Sequence, residues 1–169
     1  MEVDGSEYQA QIVLAPSRPN ITGKRCIFLA GTTSGDDWRK SITGALSHLP
    51  ITIFNPLRTD WDSSWREDRT FEPFREQVEW ELDMQEQADI VVIYYGPETD
   101  APIALLELGL CARFGKAIVA CHPEYRKKGN VQIVSQRLGI EFLDGSHDLA
   151  QVVDRRLRAL LDEGRGSHS

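Results

Sequence analysis

The stretch "DIVVIYYG", Asp89–Gly96, decides the fold of this chain. Every residue from Ile90 to Tyr95 is apolar or aromatic. A strand with that composition is typical of the centre of a parallel sheet, where both faces are buried. Four further short apolar runs are bounded by turn or polar residues, and they are "RCIFLAG", "ITIFNP", "KAIVACH" and "IEFLD". We therefore predict a sheet of five parallel strands.

Helical patterns alternate with these strands, and this alternation is typical of an α/β domain. The first predicted helix spans about residues 36–49, with Gly35 or Asp36 as its N-cap. A second spans about 71–87 and is expected to turn Phe74, Val78 and Leu82 towards the core. A third begins at Pro102, and a last one spans about 149–161. For five strands we expect the flavodoxin-like or Rossmann-like order 2-1-3-4-5.

Composition limits the classes of protein to which the chain can belong. Its 169 residues, 41% hydrophobic and 27% charged, predict one soluble domain over about residues 25–163. Residues 1–24 are expected to form a flexible lead-in, and residues 164–169 a disordered tail. The net charge of −7 argues against a nucleic-acid polymer as partner. No stretch has transmembrane length or signal-peptide character, so we expect a cytoplasmic protein with no membrane partner.

The polar loops that follow the strands indicate where a ligand binds. In an open parallel sheet the ligand lies beyond the carboxyl ends of the strands, at the switch point between the first and third strands. The loops that meet there are "GTTSGDDW" and "GPETDAP", and they are flanked by "NPLRTDWDSSW" and "HPEYRKKGN". The candidate substrate contacts on the first three of these loops are Gly31, Thr32, Asn55, Arg58, Asp60, Trp61, Trp65 and Asp100.

Glu107 stands out because it is the one charged residue between Ala101 and Ala112. At helical spacing it lies on a stripe formed by Ile103, Leu106, Leu110 and Phe114, where it loses much of its hydration. The helix carries it about 8 Å down from the ligand edge, at 1.5 Å per residue. An acid in that place is a candidate nucleophile; the structural alternative is an ion pair with Arg113 or Lys116.

Asp83 is a candidate second acid at a similar depth. It belongs to the helix that returns to the start of "DIVVIYYG", about six residues above the lower edge of the sheet. Two carboxyl groups that converge on one pocket suit nucleophile and general-acid chemistry. The alternative is that Asp83 is a solvated helix residue.

Other motifs point more weakly to chemistry. "GTTSGDD" matches neither the dinucleotide-binding pattern GxGxxG nor the P-loop pattern GxxxxGK[ST]. Its hydroxyls and the following helix N-terminus could still hold a sugar or a phosphate. The four histidines are scattered without ligand spacing, so no metal and no cofactor are expected. Trp61 and Trp65 either stack on a base or form a lid that packs on its own domain.

Five motifs, in order and over about residues 25–143, resemble the nucleoside 2-deoxyribosyltransferase-like proteins. They are "IFLAGT…DW", "NPLRTDWDSSW", "QVEWELDMQEQADIVVIYY", "LLELGL" and "KGNVQIV". The resemblance implies that Glu107 attacks the anomeric carbon of a nucleoside and forms a glycosyl-enzyme. It also implies that Asp83 helps to protonate the departing base. A homo-oligomer is implied as well, with Asn130 contributed to the site by a neighbouring subunit.

One position departs from the family pattern. Where the family commonly has Asp or Ser, six residues before the nucleophile, this chain has Ala101, with Asp100 one residue earlier. Either Asp100 takes over the role, or sugar recognition differs.

We therefore predict an N-glycosidic-bond enzyme that acts on (deoxy)nucleosides or nucleoside 5'-monophosphates. It either transfers 2'-deoxyribose between bases or hydrolyses the bond. The alternative from another class is a non-catalytic nucleotide-binding module in which Glu107 only holds ribose hydroxyls.

Overall fold

The computed structural model describes residues 9–164 and contains one parallel sheet of six strands. The strands are β1 (Gln11–Leu14), β2 (Arg25–Gly31), β3 (Ile51–Asn55), β4 (Ile90–Tyr95), β5 (Ala117–Cys121) and β6 (Glu141–Asp144). Their order across the sheet is β1-β3-β2-β4-β5-β6. The five predicted strands are β2 to β6, in the predicted order, and β4 lies between β2 and β5 as its apolar sequence requires.

The predicted lead-in is wrong for Gln11–Leu14, because these residues form the edge strand β1 and pair in parallel with β3. The Gln11 side chain ties the segment down further. Its Nε2 donates to the Asn20 carbonyl at 2.8 Å, and its Oε1 accepts from the Thr52 hydroxyl at 2.7 Å. Residues 1–8 of the predicted lead-in and 165–169 of the predicted tail lie outside the described residues.

Five α-helices cover the two faces of the sheet. They are α1 (Trp38–Leu46), α2 (Glu72–Gln87), α3 (Pro102–Cys111), α4 (Lys128–Leu138) and α5 (Leu149–Glu163). The N-cap of α1 is Asp37, not the predicted Gly35 or Asp36, and its side chain accepts from the Lys40 N–H. None of the helices within residues 9–164 combines the length and the apolar character that crossing a membrane requires.

The helices divide unequally between the faces, and this division positions the site. Side chains of α1 and α5 share one core cluster, whereas those of α2, α3 and α4 belong to the cluster on the opposite face. The chain thus leaves β2 towards one face and β3 towards the other. A crevice opens between the carboxyl ends of β2 and β4, which is the predicted switch point.

The predicted inner face of α2 is wrong. Val78 and Leu82 are exposed and Phe74 is half-buried, whereas the buried residues are Gln77, Trp80, Met84 and Gln85. Two of these four are polar, so the apolar period does not mark the buried face. The glutamines can be buried because their amides are hydrogen-bonded, which removes much of the desolvation cost.

The predicted inner stripe of α3 is also wrong, although Glu107 itself is buried. The stripe residues are between 48% and 76% exposed. The sheet instead receives the face that carries Ala104, Glu107, Leu108 and Cys111. At 100° per residue Glu107 lies at the border between the stripe and this face, so it is buried while its large apolar neighbours point outward.

Candidate active site

Glu107 is the most unusual buried group of the sheet face covered by α2 and α3. It is 8% exposed, and its Oε1 accepts a hydrogen bond from Gln85 Nε2 of α2 at 2.9 Å. Burial raises the pKa of its carboxyl to about 8, and the charge of Glu81 raises it as well. The charge of Arg39 and the Gln85 hydrogen bond act in the opposite direction. The structure contains no ion pair of Glu107 with Arg113 or Lys116 among the described residues.

Glu81 is the second carboxyl group of this site. It lies on α2, four residues before Gln85 and four after Gln77, so the three side chains share one face of the helix. Its Oε1 accepts from Gln77 Nε2 at 2.8 Å. Burial raises the pKa of Glu81, while the Gln77 hydrogen bond and the charge of Arg39 lower it.

Arg39 is a buried cation that influences both carboxyl groups. Its guanidinium donates to the carbonyls of Leu29, Gly31 and Thr32 at 2.9–3.0 Å. Burial lowers its pKa to about 10, and the charges of Glu107, Asp37 and Glu81 oppose that shift. The guanidinium therefore stays protonated at neutral pH and favours the ionised forms of the two carboxyl groups.

The structure does not bring Asp83 and Glu107 together. Asp83 forms an ion pair with Arg18 at 2.8 Å, and its side chain is 49% exposed. On α2 it is two residues before Gln85, which places it about 160° around the helix from the side chain that reaches Glu107. The acid of α2 that shares the face of Gln85 is Glu81. The predicted convergence fails because helix periodicity separates the two positions.

A cavity of about 340 Å³ opens at the carboxyl edge of the sheet, between the loops after β2 and β4 and the start of α5. Its wall includes the carboxylates of Asp36, Asp37 and Glu98 and the aromatic rings of Trp38 and Tyr94. No lysine or arginine is among its described lining residues. Glu107 and Glu81 are not part of this wall.

A family model described as nucleoside 2-deoxyribosyltransferase like matches residues 24–125, which is more than half of the chain. The chain belongs to the nucleoside 2-deoxyribosyltransferase-like family. A search of curated proteins found no match. The matched segment includes Glu81, Glu107, Arg39 and the loops after β2, β3 and β4, and it ends before Asn130.

In this family member, Gly31 and Thr32 connect the strands on either side of the crevice. The Thr32 hydroxyl donates to the Tyr94 carbonyl at 2.9 Å and accepts from the Gly96 N–H at 2.6 Å. Gly31 has a φ of +118°, and a Cβ there would lie 2.2 Å from the Tyr94 oxygen. The Thr32 hydroxyl therefore links the two loops and Gly31 allows their close approach, and the predicted contact of both residues with substrate stays a prediction.

The loop after β3 packs on itself around Arg58. The guanidinium donates to Asp60 at 2.6 Å, pairs with Glu76 at 2.8 Å and lies over the ring of Trp65 at 5.0 Å. Trp65 also contacts Trp61, with ring centroids 5.0 Å apart. This arrangement agrees with the lid alternative. Trp61 remains 46% exposed, so its stacking on a base stays a prediction.

The segment before α3 is strained next to Asp100. Ala101 adopts a left-handed conformation, with φ 45° and ψ 57°, which is uncommon for a residue other than Gly, Asn or Asp. The Asp100 carboxylate is held by Arg126, and its carbonyl accepts from the Tyr125 hydroxyl at 2.7 Å. Asp100 is thus fixed by the loop after β5, and its predicted role in sugar binding stays a prediction.

The two predicted asparagines differ in their surroundings. Asn55 Oδ1 accepts from the Leu57 N–H at 3.0 Å and shapes the start of the loop after β3. Asn130 lies on α4 and is exposed. Its position on an outer helix is compatible with a role in a neighbouring subunit, which stays a prediction.

An exposed apolar surface, the α3–α4 surface, lies next to the site. Its members are large, outward-facing side chains of α3, of the 3-10 turn Ala112–Phe114 and of α4. They are Ile103, Leu106, Leu110, Phe114, Ile133 and Val134. Contiguous apolar side chains of this size on a protein surface commonly mark a contact with another chain.

Four residues of the site were not predicted from the sequence: Arg39, Gln77, Glu81 and Gln85. The signal that could have found three of them is the spacing of Gln77, Glu81 and Gln85 at i, i+4 and i+8, beside the buried Trp80 and Met84. Within residues 9–164, no group of three or more His, Cys, Asp or Glu side chains is placed to hold a metal ion.

Proposed function

We propose that the protein cleaves the N-glycosidic bond of a nucleoside through a covalent glycosyl intermediate on Glu107. The observation that carries the proposal is the pair of carboxyl groups on one face of the sheet, the buried Glu107 of α3 and the half-buried Glu81 of α2, whose charges influence each other. Membership of the nucleoside 2-deoxyribosyltransferase-like family supports the same chemistry.

The reaction needs one ionised and one protonated carboxyl group. The Glu107 carboxylate attacks C1' of the sugar and forms a C–O bond, while the C1'–N bond breaks and its electron pair stays with the base. Glu81 gives its proton to the departing base. A second base or a water molecule then attacks C1' and gives its proton to the Glu81 carboxylate, while the C1'–O bond to Glu107 breaks and Glu107 is released as the carboxylate.

The pKa values of both groups are raised, that of Glu107 to about 8, and the reactive form is the one in which Glu107 is ionised and the proton lies on Glu81. One proton shared between Glu107 and Glu81 leaves one carboxylate to attack and one acid to protonate the base. The charge of Arg39 favours the ionised member and offsets part of the cost of its burial. Activity should therefore fall at low pH, where both groups are protonated, and at high pH, where both are ionised.

The general-acid role predicted for Asp83 passes to Glu81 in this proposal. Asp83 is paired with Arg18, is half exposed, and lies about 160° around α2 from the side chain that reaches Glu107. Glu81 lies on the face of α2 that also carries Gln85, the hydrogen-bond partner of Glu107.

A phosphate dianion bound in the cavity at the carboxyl edge would face Asp36, Asp37 and Glu98, with no lysine or arginine among the described lining residues. Glu107 and Glu81 lie outside this cavity. Both (deoxy)nucleosides and nucleoside 5'-monophosphates are therefore proposed as substrates.

We also propose a homo-oligomer with shared sites. The apolar α3–α4 surface would be covered by a second copy of the chain, because its stripe borders Glu107 along α3. Asn130 of α4 would then reach the site of the neighbouring subunit.

The test is incubation with matched pairs of deoxynucleosides and their 5'-monophosphates, followed by chromatography of free base with and without an acceptor base. We expect release of free base from the deoxynucleosides or from their 5'-monophosphates, and its loss in Glu107→Gln. Release from the monophosphates alone would show that the 5'-phosphate is required. Binding without release would favour the non-catalytic module.

A further inference from the structure

Two glutamines of α2 each hold one carboxyl group of the site. Gln77 Nε2 donates to Glu81 Oε1 at 2.8 Å, and Gln85 Nε2 donates to Glu107 Oε1 at 2.9 Å. Both side chains are buried, at 5% and 6% exposure, although glutamine is ordinarily a surface residue. Together with Glu81 they form an amide–acid–amide row along one face of the helix.

We propose that Gln85 is a positioning residue that selects the reactive oxygen of Glu107, with Gln77 doing the same for Glu81. Each amide donates to Oε1 of its glutamate, so that Oε2 of Glu107 is left to attack the sugar carbon and Oε2 of Glu81 to carry the proton. The inference rests on the proposed function, because it assigns roles within the same pair of carboxyl groups.

The orientation of the Gln77 amide is fixed by its partners. Its Nε2 donates to the Pro56 carbonyl at 2.9 Å as well as to Glu81, so both hydrogens are used. A flipped amide would place its oxygen against two acceptors. This orientation leaves the buried Gln77 Oε1 without a hydrogen-bond partner. A buried acceptor without a partner is unfavourable, and the structure accepts this cost in the orientation that makes the hydrogen bond to Glu81.

The backbone that carries Gln85 is held from a third element. Lys116, directly before β5, donates from Nζ to the carbonyls of Gln85 at 2.5 Å and of Ala88 at 3.3 Å. The last turn of α2 is therefore fixed to the segment that enters β5, and the amide of Gln85 has a defined place from which to reach Glu107.

The pKa of Glu107 distinguishes a positioning role of Gln85 from a purely structural one, because a purely structural role would leave that pKa unchanged. The titratable groups that influence or are influenced by it are Glu81 of α2, Arg39 of α1, Tyr95 of β4 and Cys111 of α3. Loss of the Gln85 donor removes stabilisation of the ionised form while these groups stay in place. The pKa of Glu107 should then rise further.

The first experiment compares Gln85→Met, similar in size but without a donor, with Gln87→Met, an exposed position two residues along the same helix. With a deoxynucleoside as substrate, we expect Gln85→Met to lower kcat by about 10- to 100-fold, with KM within about twofold. The pH below which the activity of this variant falls should be higher than in the wild type. Gln87→Met should match the wild type, and an unchanged kcat and profile in Gln85→Met would overturn the proposal.

The second experiment does not depend on activity. Carbon-13 NMR of protein labelled at the glutamate carboxyls follows the Glu107 signal, assigned by its loss in Glu107→Gln. We expect the midpoint to rise by about one pH unit in Gln85→Met. If Gln85→Met does not fold, Gln77→Met should raise the Glu81 midpoint instead, assigned with Glu81→Gln.

Unmoved midpoints in a folded variant would overturn the positioning role. A wild type that releases no base, yet whose Glu107 midpoint responds to Gln85→Met, would overturn the proposed function and leave the positioning role standing.

Discussion

Glu107 is buried at a place where its charge is costly to the folded state. Burial and the nearby charge of Glu81 oppose ionisation, while Arg39 and the Gln85 amide only partly compensate. A group of this kind lowers stability when it is ionised and is therefore expected at a functional site rather than in a merely structural one.

The effect of Glu107 ionisation on stability gives a prediction about pH. Between the ordinary pKa of a glutamate and the raised value of about 8, the folded protein binds more protons than the unfolded chain, so stability falls as pH rises. Glu107→Gln removes the penalty and can still accept from Gln85. We expect its melting temperature to exceed that of the wild type by about 3 °C or more at pH 8.

At pH 4.5 Glu107 is protonated in the folded state and about half ionised in the unfolded chain, so the two proteins should melt within about 2 °C of each other. Calorimetry across this range checks the prediction. A variant that is less stable than the wild type at pH 8 would show that the ionised carboxylate is a stabilising group.

The reassignment of the general acid gives a second prediction at this scale. Glu81→Gln should slow release of a poor leaving group such as adenine far more than release of an activated leaving group, by about 100-fold or more. Asp83→Asn, matched in chemistry and on the same helix, should change both rates little. The reverse pattern in steady-state kinetics would return the role to Asp83.

At the scale of elements, the sequence-based prediction is most accurate for the strands. Long apolar runs mark β2 to β6 because a strand buried on both faces leaves few alternatives. β1 was missed, since Gln11–Leu14 is short and lies among Pro, Ser and Asn residues. The predicted inner faces of α2 and α3 are wrong because these helices bury polar groups that are hydrogen-bonded to each other. Their outward apolar residues mimic a core pattern, and periodicity cannot tell a core from an intermolecular contact.

The start of α3 carries a prediction about backbone strain. Ala101 has a positive φ, a conformation that glycine adopts without penalty. Ala101→Gly is therefore expected to raise the free energy of unfolding by about 0.5–1 kcal/mol. Ala159→Gly, at an exposed position inside α5, should lower it by about the same amount.

Urea unfolding of the two variants and the wild type checks whether the two substitutions change the free energy of unfolding in opposite directions. A destabilised Ala101→Gly would mean that the alanine methyl group, which is buried, contributes more through packing than the backbone loses through strain.

At the scale of the whole molecule, the distribution of apolar side chains supports the proposed homo-oligomer. A single chain would leave the α3–α4 surface in water, including Phe114 at 76% exposure. The outward stripe and the buried carboxyl group occupy adjacent sides of α3, so a partner that covers the stripe would also border the site. Sequence could not show this, because it does not tell which apolar residues a second chain covers.

The assembly is tested by introducing charge into the surface. Leu106→Glu should convert the oligomer to a monomer in sedimentation analysis, because a carboxylate in an apolar contact loses its hydration without a partner. Leu57→Glu, at an exposed leucine of the loop after β3, is the matched control and should leave the oligomer intact. A wild type that is monomeric at working concentration would contradict the assembly.

Mixing Asn130→Ala subunits with Glu107→Ala subunits then tests the shared site. Hybrid oligomers should regain activity that neither variant has alone. Two variants that stay inactive when mixed, in oligomers shown to exchange subunits, would mean that Asn130 does not serve a neighbouring site.

The most direct test of the central claim is mass spectrometry of the wild-type protein, quenched during reaction with a deoxynucleoside or its 2-fluoro analogue. A covalent nucleophile predicts a sugar adduct on the peptide that contains Glu107, formed as free base is released and absent in Glu107→Gln. Base release without an adduct on that peptide, or an adduct that maps to another carboxylate, would contradict the account.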